Sequence, residues 1–289
     1  YPSTETLTNR GISNRVINKM MQQLFLETQA LFTETLPKYL LEELKLIPKN
    51  AALFNIHFPK SSEALAKAQF RLKFEELFYI QLQLITKNLI RKHKIKGHPF
   101  SKVGELFNDF YQNHLPFDLT NAQKRVIKEI RTDMGSNAQM NRLLQGDVGS
   151  GKTIVAFMSM LLALDNGFQA CLMAPTEILA NQHFIGLSEF ATTLNINIKI
   201  LTGSTKTAAR KIIHEELENG SLQILIGTHA LLEDKVQFQN LGLAVIDEQH
   251  RFGLKQRQGL AKKDTHFPHL LSMTATPIPR TLALTLYGD

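Results

Sequence analysis

The sequence predicts an α/β fold, a mainly parallel sheet covered on both faces and preceded by an α-helical region. Three observations carry this. After about residue 116, six short apolar runs alternate with helical patterns, as βαβ units require. Before residue 110, apolar residues instead fall three, four and seven apart, the helical period. Charge divides along the same line: residues 1–100 hold 15 Lys and Arg against 8 Asp and Glu, whereas the remainder balances at 18 of each. The expected division is therefore a basic helical region over 1–110 and an α/β domain over 111–289.

In the first region, "SSEALAKAQFRLKFEELFYIQLQLITKNLIRKHKIKG" predicts one helix of about thirty residues, on the order of 45 Å long. Ser61 or Ser62 can cap its start. Gly97 can end it, with Arg91, Lys92, Lys94 and Lys96 near the negative end of its dipole. Phe70, Phe74, Leu77, Phe78, Ile85 and Leu89 recur at helical spacing and are expected in the core. "LIPKNAALFNIHFPKS", with two prolines, reads as a turn or loop between helical pieces. In the second region the expected strands are 142–145, 169–174, 197–202, 222–227, 243–247 and 269–274. The stretch "IVAFMSMLLAL" between the first two is too short to span a bilayer and reads as a core helix. Function is expected at the carboxyl ends of the strands.

Composition narrows the classes. With 43% hydrophobic and 20% charged residues, the chain is an ordinary globular sequence, neither disordered nor fibrous. No secretory signal opens it. Its one cysteine, Cys171, cannot form an internal disulfide, and no Cys cluster could bind zinc. A reducing, cytoplasmic setting fits. The basic first third suits a phosphate backbone and equally suits solvated helix faces. The chain opens on Tyr1 rather than Met, and a piece of a longer protein is expected.

"LLQGDVGSGKTIVAF" carries G-x-x-x-x-G-K-[ST] at Gly146, Gly151, Lys152 and Thr153, after a strand and at the head of a helix. Backbone N–H groups over Gly146, Asp147, Val148, Gly149, Ser150 and Gly151 can curl round a polyphosphate, aided by the helix N-terminus. Lys152 would reach the β- and γ-phosphates of ATP, and Thr153 would place its hydroxyl on Mg²⁺. Such a site needs a second metal-side group and a base for water. "LAVIDEQH" ends an apolar strand on Asp247, suited to the metal, and Glu248, suited to general-base work. Gln249 and His250 then suggest a link from the γ-phosphate to something else.

"DEQH" resembles the Walker B box of superfamily 2 helicases. The fuller resemblance is to the bacterial RecG branched-DNA helicase family, through "LPFDLTNAQKRVIKEI", "MNRLLQGDVGSGKT", "LMAPTEILANQHF", "LTGS", "IGTHALL", "LAVIDEQHRFGLKQR" and "SMTATPIPRTLA", in that family's order. "YPSTETL", "IHFP" and "RLKFEELFYIQL" are similar to its linker region. The transcription–repair coupling translocase shares "GTH" and "TATPIPRTL", but Gln249 and Ser150 depart from its pattern.

The resemblance implies a RecA-like P-loop NTPase domain. Phe117 and Gln123 would form the adenine-reading Q motif. Thr176 and Glu177, then Thr202, Gly203 and Ser204, then Gly227, Thr228 and His229 would hold the phosphates of one DNA strand. Taken singly, such residues are commonly helix caps or turn residues. Thr274 and Thr276 would form motif III, with His250 and Gln249 coupling nucleotide to DNA; read alone, His250 is a core histidine. The second RecA-like domain, with its arginine fingers, and the family's wedge domain are expected to lie outside this sequence. The implied activity is ATP-driven remodelling of stalled forks and Holliday junctions by a monomer with no membrane partner. A double-stranded DNA translocase and a non-catalytic, nucleotide-switched DNA-binding scaffold are the alternatives.

Overall fold

The structure, a computed structural model, describes residues 4–28, 32–248 and 267–275. The chain divides into two compact units, Tyr1–Leu84 and Ile85–Asp289. The division falls earlier than the change of texture near residue 110, because residues beyond 95 bond into the second unit. Phe100 N–H donates to the Met134 carbonyl (2.8 Å). The Asp165 carboxylate accepts the N–H groups of Gly104 (3.0 Å), Leu106 (3.1 Å) and Phe107 (3.1 Å).

The first unit holds α1 (Glu5–Asn9), α2 (Asn14–Thr28), α3 (Lys38–Glu43), α4 (Lys49–His57) and most of α5 (Ser62–Lys94). Residues 49–57 correct the loop expected there. Pro48, at φ −58° and ψ 152°, precedes the first turn, where a missing N–H forfeits no helical bond. Phe58 ends the helix, as a residue before proline tends to. Buried Phe25 gathers Phe32, Phe54, His57 and Phe58 at ring-centroid distances of 5.6–6.1 Å.

Helix α5 forms as expected, and the Ser61 hydroxyl oxygen accepts the Ala64 N–H at its start (3.1 Å). Its burial does not follow expectation. Phe70, Leu77, Ile85 and Leu89 are exposed, and the buried residues are Ala68, Arg71 and Glu75. The inward stripe is taken by an ion network. Arg71, with no exposed surface, pairs with Glu34 (2.5 Å) and Glu75 (2.6 Å), and Lys49 reaches Glu75 at 3.0 Å. Partial burial pushes the Glu75 carboxyl up, but hydrogen bonds from Thr35, Lys49 and Arg71 outweigh this and hold it below its usual range.

The second unit runs α6 (Glu105–Asp109), a π-turn (Phe110–His114), α7 (Asn121–Met134), β1 (Asn141–Gln145), α8 (Lys152–Asp165), β2 (Gln169–Met173), α9 (Glu177–Thr193), β3 (Ile198–Leu201), α10 (Thr207–Glu218), β4 (Ile224–Gly227), a 3₁₀ turn (His229–Leu232), β5 (Leu241–Asp247) and β6 (His269–Thr274). All six expected strands are present. They form one sheet in the order β1-β6-β5-β2-β4-β3, and every pairing is parallel.

Strand alternation sends side chains into two cores. Leu243 and Val245 join Ala170, Leu172, Leu271 and Met273 on one face, with Val155 and Phe157 of α8. Ala244 and Ile246 join Cys171, Met173 and Leu225 on the other, with Ile213 and Leu217 of α10. Helix α8 is buried from Ile154 to Ala163, as its apolar run predicts. Its one hydroxyl there, on Ser159, donates to the Val155 carbonyl (2.8 Å). No described helix is long and apolar enough to cross a membrane.

At the amino end of the sheet, His269 staples three segments. Its Nδ1 accepts from Met140 N–H (2.9 Å), and its Nε2–H donates to the His98 carbonyl (2.7 Å). Burial lowers its pKa to about 4.

Candidate functional site

Parallel strands put all their carboxyl ends on one edge, and the described candidate segments that follow strands lie there. The sheet order sorts them. β1, β6 and β5 are consecutive neighbours and end in the Gly146–Thr153 loop, Thr274 and Asp247. β2, β4 and β3 are also consecutive and end near Thr176, Gly227–His229 and Thr202–Ser204. Neighbouring strands lie about 4.8 Å apart, so each group spans two such steps, with the boundary between β5 and β2.

The loop between β1 and α8 turns on Gly149 and Gly151, at φ of 78° and 79°. This left-handed geometry is open to glycine without Cβ strain. Ser150 N–H donates to the Asp147 carbonyl (3.2 Å), and Gly146 N–H to the Thr274 carbonyl (3.3 Å), tying the loop to β6. Lys152 Nζ donates to the carbonyls of Gly146 (2.8 Å) and Asp147 (2.7 Å). Val148 at the tip is exposed, and its N–H donates to Asp147 Oδ1 (2.8 Å). Thr153 occupies the second position of α8.

Gln123 joins this loop from α7. Thr120 and Gln123 form a reciprocal capping box. Gln123 Oε1 accepts the Thr120 N–H (2.8 Å), and its Nε2 donates to the Ser150 carbonyl (2.9 Å). Half-exposed Phe117 lies beside Gly151, its Cζ 3.9 Å from where a Cβ there would stand. The loop, Gln123 and Phe117 thus make one surface.

Asp247 closes β5 nearly buried. Its Oδ1 accepts the Glu248 N–H (3.0 Å), and its Oδ2 accepts from His183 Nε2 (2.7 Å). Glu248 takes φ +48°, unusual for a residue with a side chain, and its Oε1 accepts the Ala275 N–H (3.2 Å). Sequence reasoning missed His183. Its signal is a polar ring on the stripe of α9 whose other members, Ala180, Leu187 and Ala191, are buried. Gln249, His250 and Thr276 lie outside the described residues. Thr274 is buried at the end of β6.

The β2-β4-β3 half is gathered by Glu177. It accepts from Ser204 Oγ (2.8 Å) and Ser204 N–H (3.2 Å). The Ser204 hydroxyl leads in holding this carboxyl below its usual range, with the Gly203 and Ser204 N–H groups and the nearby charge of His229 acting the same way. Thr176 is the cap of α9, accepting the Leu179 N–H (3.3 Å). Thr202 is buried and bonds to Ser204 Oγ (3.0 Å). Gly227 ends β4. Thr228 is buried, and its hydroxyl finds no hydrogen-bond partner among the described residues. Arg210 ties these loops together, donating to the Thr202 carbonyl (2.7 Å) and pairing with Glu233 (2.9 Å).

For a metal, the donors near the loop are oxygens, the Thr153 hydroxyl and the Asp247 carboxylate. Among the described residues no three His, Cys, Asp or Glu gather as a metal cage. One carboxylate and one hydroxyl suit magnesium, which takes much of its coordination from water and phosphate oxygens.

Comparison with known proteins agrees with this geometry. The chain is 48% identical over its whole length to the ATP-dependent DNA helicase RecG of Synechocystis sp., covering 34% of that protein. It is 46% identical to RecG of Thermotoga maritima, over 96% of this chain and 35% of that one. It thus spans about a third of the length of these relatives. The solved structure of RecG bound to a three-way DNA junction matches 97% of the chain at 43% identity and a TM-score of 0.72, covering 37% of its own chain. The expected RecA-like fold is therefore present. The helicase MrfA, bound to DNA and AMPPNP, shares that fold at 21% identity and a TM-score of 0.50, over 68% of this chain and 29% of its own. The DEAD/DEAH box helicase profile matches residues 120–285, from the capping box at the head of α7 to beyond the end of β6. With more than half of its 289 residues inside that match, the chain belongs to the DEAD/DEAH box helicase family.

Proposed function

We propose that this chain is the ATP-binding half of a DNA motor that remodels branched DNA, including stalled forks and Holliday junctions. The observation that carries the reading is the sorting of the sheet edge. A phosphate-cradle loop and an acid pair end one group of strands, and loops rich in N–H and hydroxyl groups end the other. The likeness to RecG along the whole chain supports the branched-DNA substrate.

In this reading Gln123 and Phe117 hold adenine, and the N–H groups of residues 146–151 surround the phosphates. Lys152 exchanges the carbonyls of Gly146 and Asp147 for phosphate oxygens. Thr153 and Asp247 would hold magnesium, which when bound neutralises charge on the phosphates. Glu248 receives a proton from the attacking water at its carboxylate. Thr176, Gly203, Ser204, Thr228 and His229 track one strand's backbone, and Glu177 braces the Gly203–Ser204 turn. Residues 1–110 would serve as a linker, its last part bonded into the unit that holds the motor half over 111–289, and that half would pair with a second RecA-like domain and a wedge domain. The lone buried Cys171 agrees with a reducing cytoplasmic setting.

The test is titration of a fluorescent ATP analogue with magnesium, and phosphate release on forked DNA, with these 289 residues. Wild type should bind nucleotide and turn it over slowly, and Lys152→Ala should lose at least about tenfold in affinity. Glu248→Gln should bind nearly as wild type with hydrolysis abolished. Equal loss of binding in both variants would refute the base assignment. Fast DNA-stimulated turnover by wild type would refute the half-motor reading.

A further inference from the structure

His183 stands where the two groups of strand ends meet. It comes from α9, which follows β2, and reaches the end of β5, the strand beside β2. Both side chains of the pair keep only 12% of their surface exposed. A carboxylate only accepts hydrogen bonds, so Nε2 carries the proton and donates to Asp247 Oδ2 at 2.7 Å. The other oxygen, Oδ1, is held by the Glu248 N–H at 3.0 Å. Rotation of the carboxylate about its Cβ–Cγ bond would stretch either of these bonds, and a donor on each oxygen holds its plane more tightly than one alone. Each oxygen retains a further acceptor position, so the two bonds orient the group without saturating it.

We propose that His183 is a positioning residue that sets the orientation of the Asp247 carboxylate and thereby the magnesium dependence of nucleotide binding. The proposal rests on the reading of Asp247 as the metal-side acid. Partners that orient a ligating group typically contribute 10–100-fold to metal affinity. A purely structural role for His183, packing α9 on the sheet, predicts no such selectivity for magnesium.

The experiment titrates a fluorescent ATP analogue into the 289-residue chain in EDTA and across a magnesium series, for wild type, His183→Leu, His183→Asn and His183→Gln. Leucine removes the donor, asparagine shortens its reach, and glutamine keeps an N–H near the Nε2 position. In EDTA all four should bind alike, within about twofold. The magnesium concentration for half-maximal enhancement should rise about tenfold or more in the Leu and Asn variants and return to near the wild-type value in Gln. The asparagine variant keeps a polar group in this pocket, so the comparison survives if leucine fails to fold. Wild-type magnesium dependence in a folded Leu or Asn variant overturns the proposal. So does equal loss of binding in EDTA and in magnesium, which marks a packing role, or failure of glutamine to restore the response. Nucleotide binding by wild type with no magnesium dependence refutes the metal-side reading of Asp247, and His183's role falls with it. Absence of nucleotide binding altogether refutes the proposed function first.

Discussion

Arg71 has no exposed surface, and its charge is answered by two carboxylates, Glu34 and Glu75, the second of which also pairs with Lys49. Removing the guanidinium would leave Glu34 without its cation and Glu75 with Lys49 alone, and taking one partner from a largely buried ion network is costly. Arg71→Ala should destabilise the first unit by about 3–5 kcal/mol, read as a lower urea midpoint. A loss under about 1 kcal/mol would show that water replaces the arginine at little cost. Burial of this residue could not be read from the sequence. Helical spacing points to Phe70 and Leu77 as inward residues, and both are exposed. Periodicity ranks side chains by hydrophobicity, whereas the stripe that faces inward was decided by charges brought together from residues 34, 49, 71 and 75.

Among the elements, the strands were the most legible, because each is a short apolar run, and the runs ending at Gln145, Met173 and Leu201 lead into helices. The nine-residue α4 was hidden by its prolines, which mark both helix starts and loops. The clamp between α8 and α6 was also hidden, since it joins residues some sixty apart. Asp165, the last residue of the P-loop helix, accepts three N–H groups at the start of α6, and Asn166 exchanges hydrogen bonds with both backbone groups of Lys102 (3.0 and 2.9 Å). Asp165→Ala would leave three donors without their acceptor. A loss of about 1–2 kcal/mol is expected, with Asp165→Asn losing less, and urea unfolding of the second unit measures both. Equal stability of wild type and Asp165→Ala would mean that water caps α6 as well as the carboxylate does.

Across the molecule, the acid and phosphate-loop candidates were legible because strand–loop–helix chemistry is local, whereas His183 required the sheet order that sets β2 beside β5. The staple at the opposite end of the sheet sets a pH limit on folding. His269 has a pKa of about 4 when folded, against an ordinary 6.5 when unfolded. Above pH 6.5 the ring is neutral in both states and its contribution is intact. As pH falls from 6.5 toward 4, the unfolded chain gains a proton that the folded chain refuses, and stability declines by up to about 3 kcal/mol. Urea midpoints of wild type should fall over this interval more steeply than those of His269→Gln; parallel slopes would exclude the histidine as the cause. The edge that carries the candidate chemistry has a different constraint, one of length. Glu177 and His183 lie on the same helix, the first gripping Ser204 and the second gripping Asp247. Six residues of α-helix set these grips about 9 Å apart along the axis and fix the angle between them. Inserting or deleting a single residue between them would turn one grip about 100° away from its target. The spacing is thus a ruler written into the chain, and a change in its count would part the two halves of the edge even with every side chain preserved.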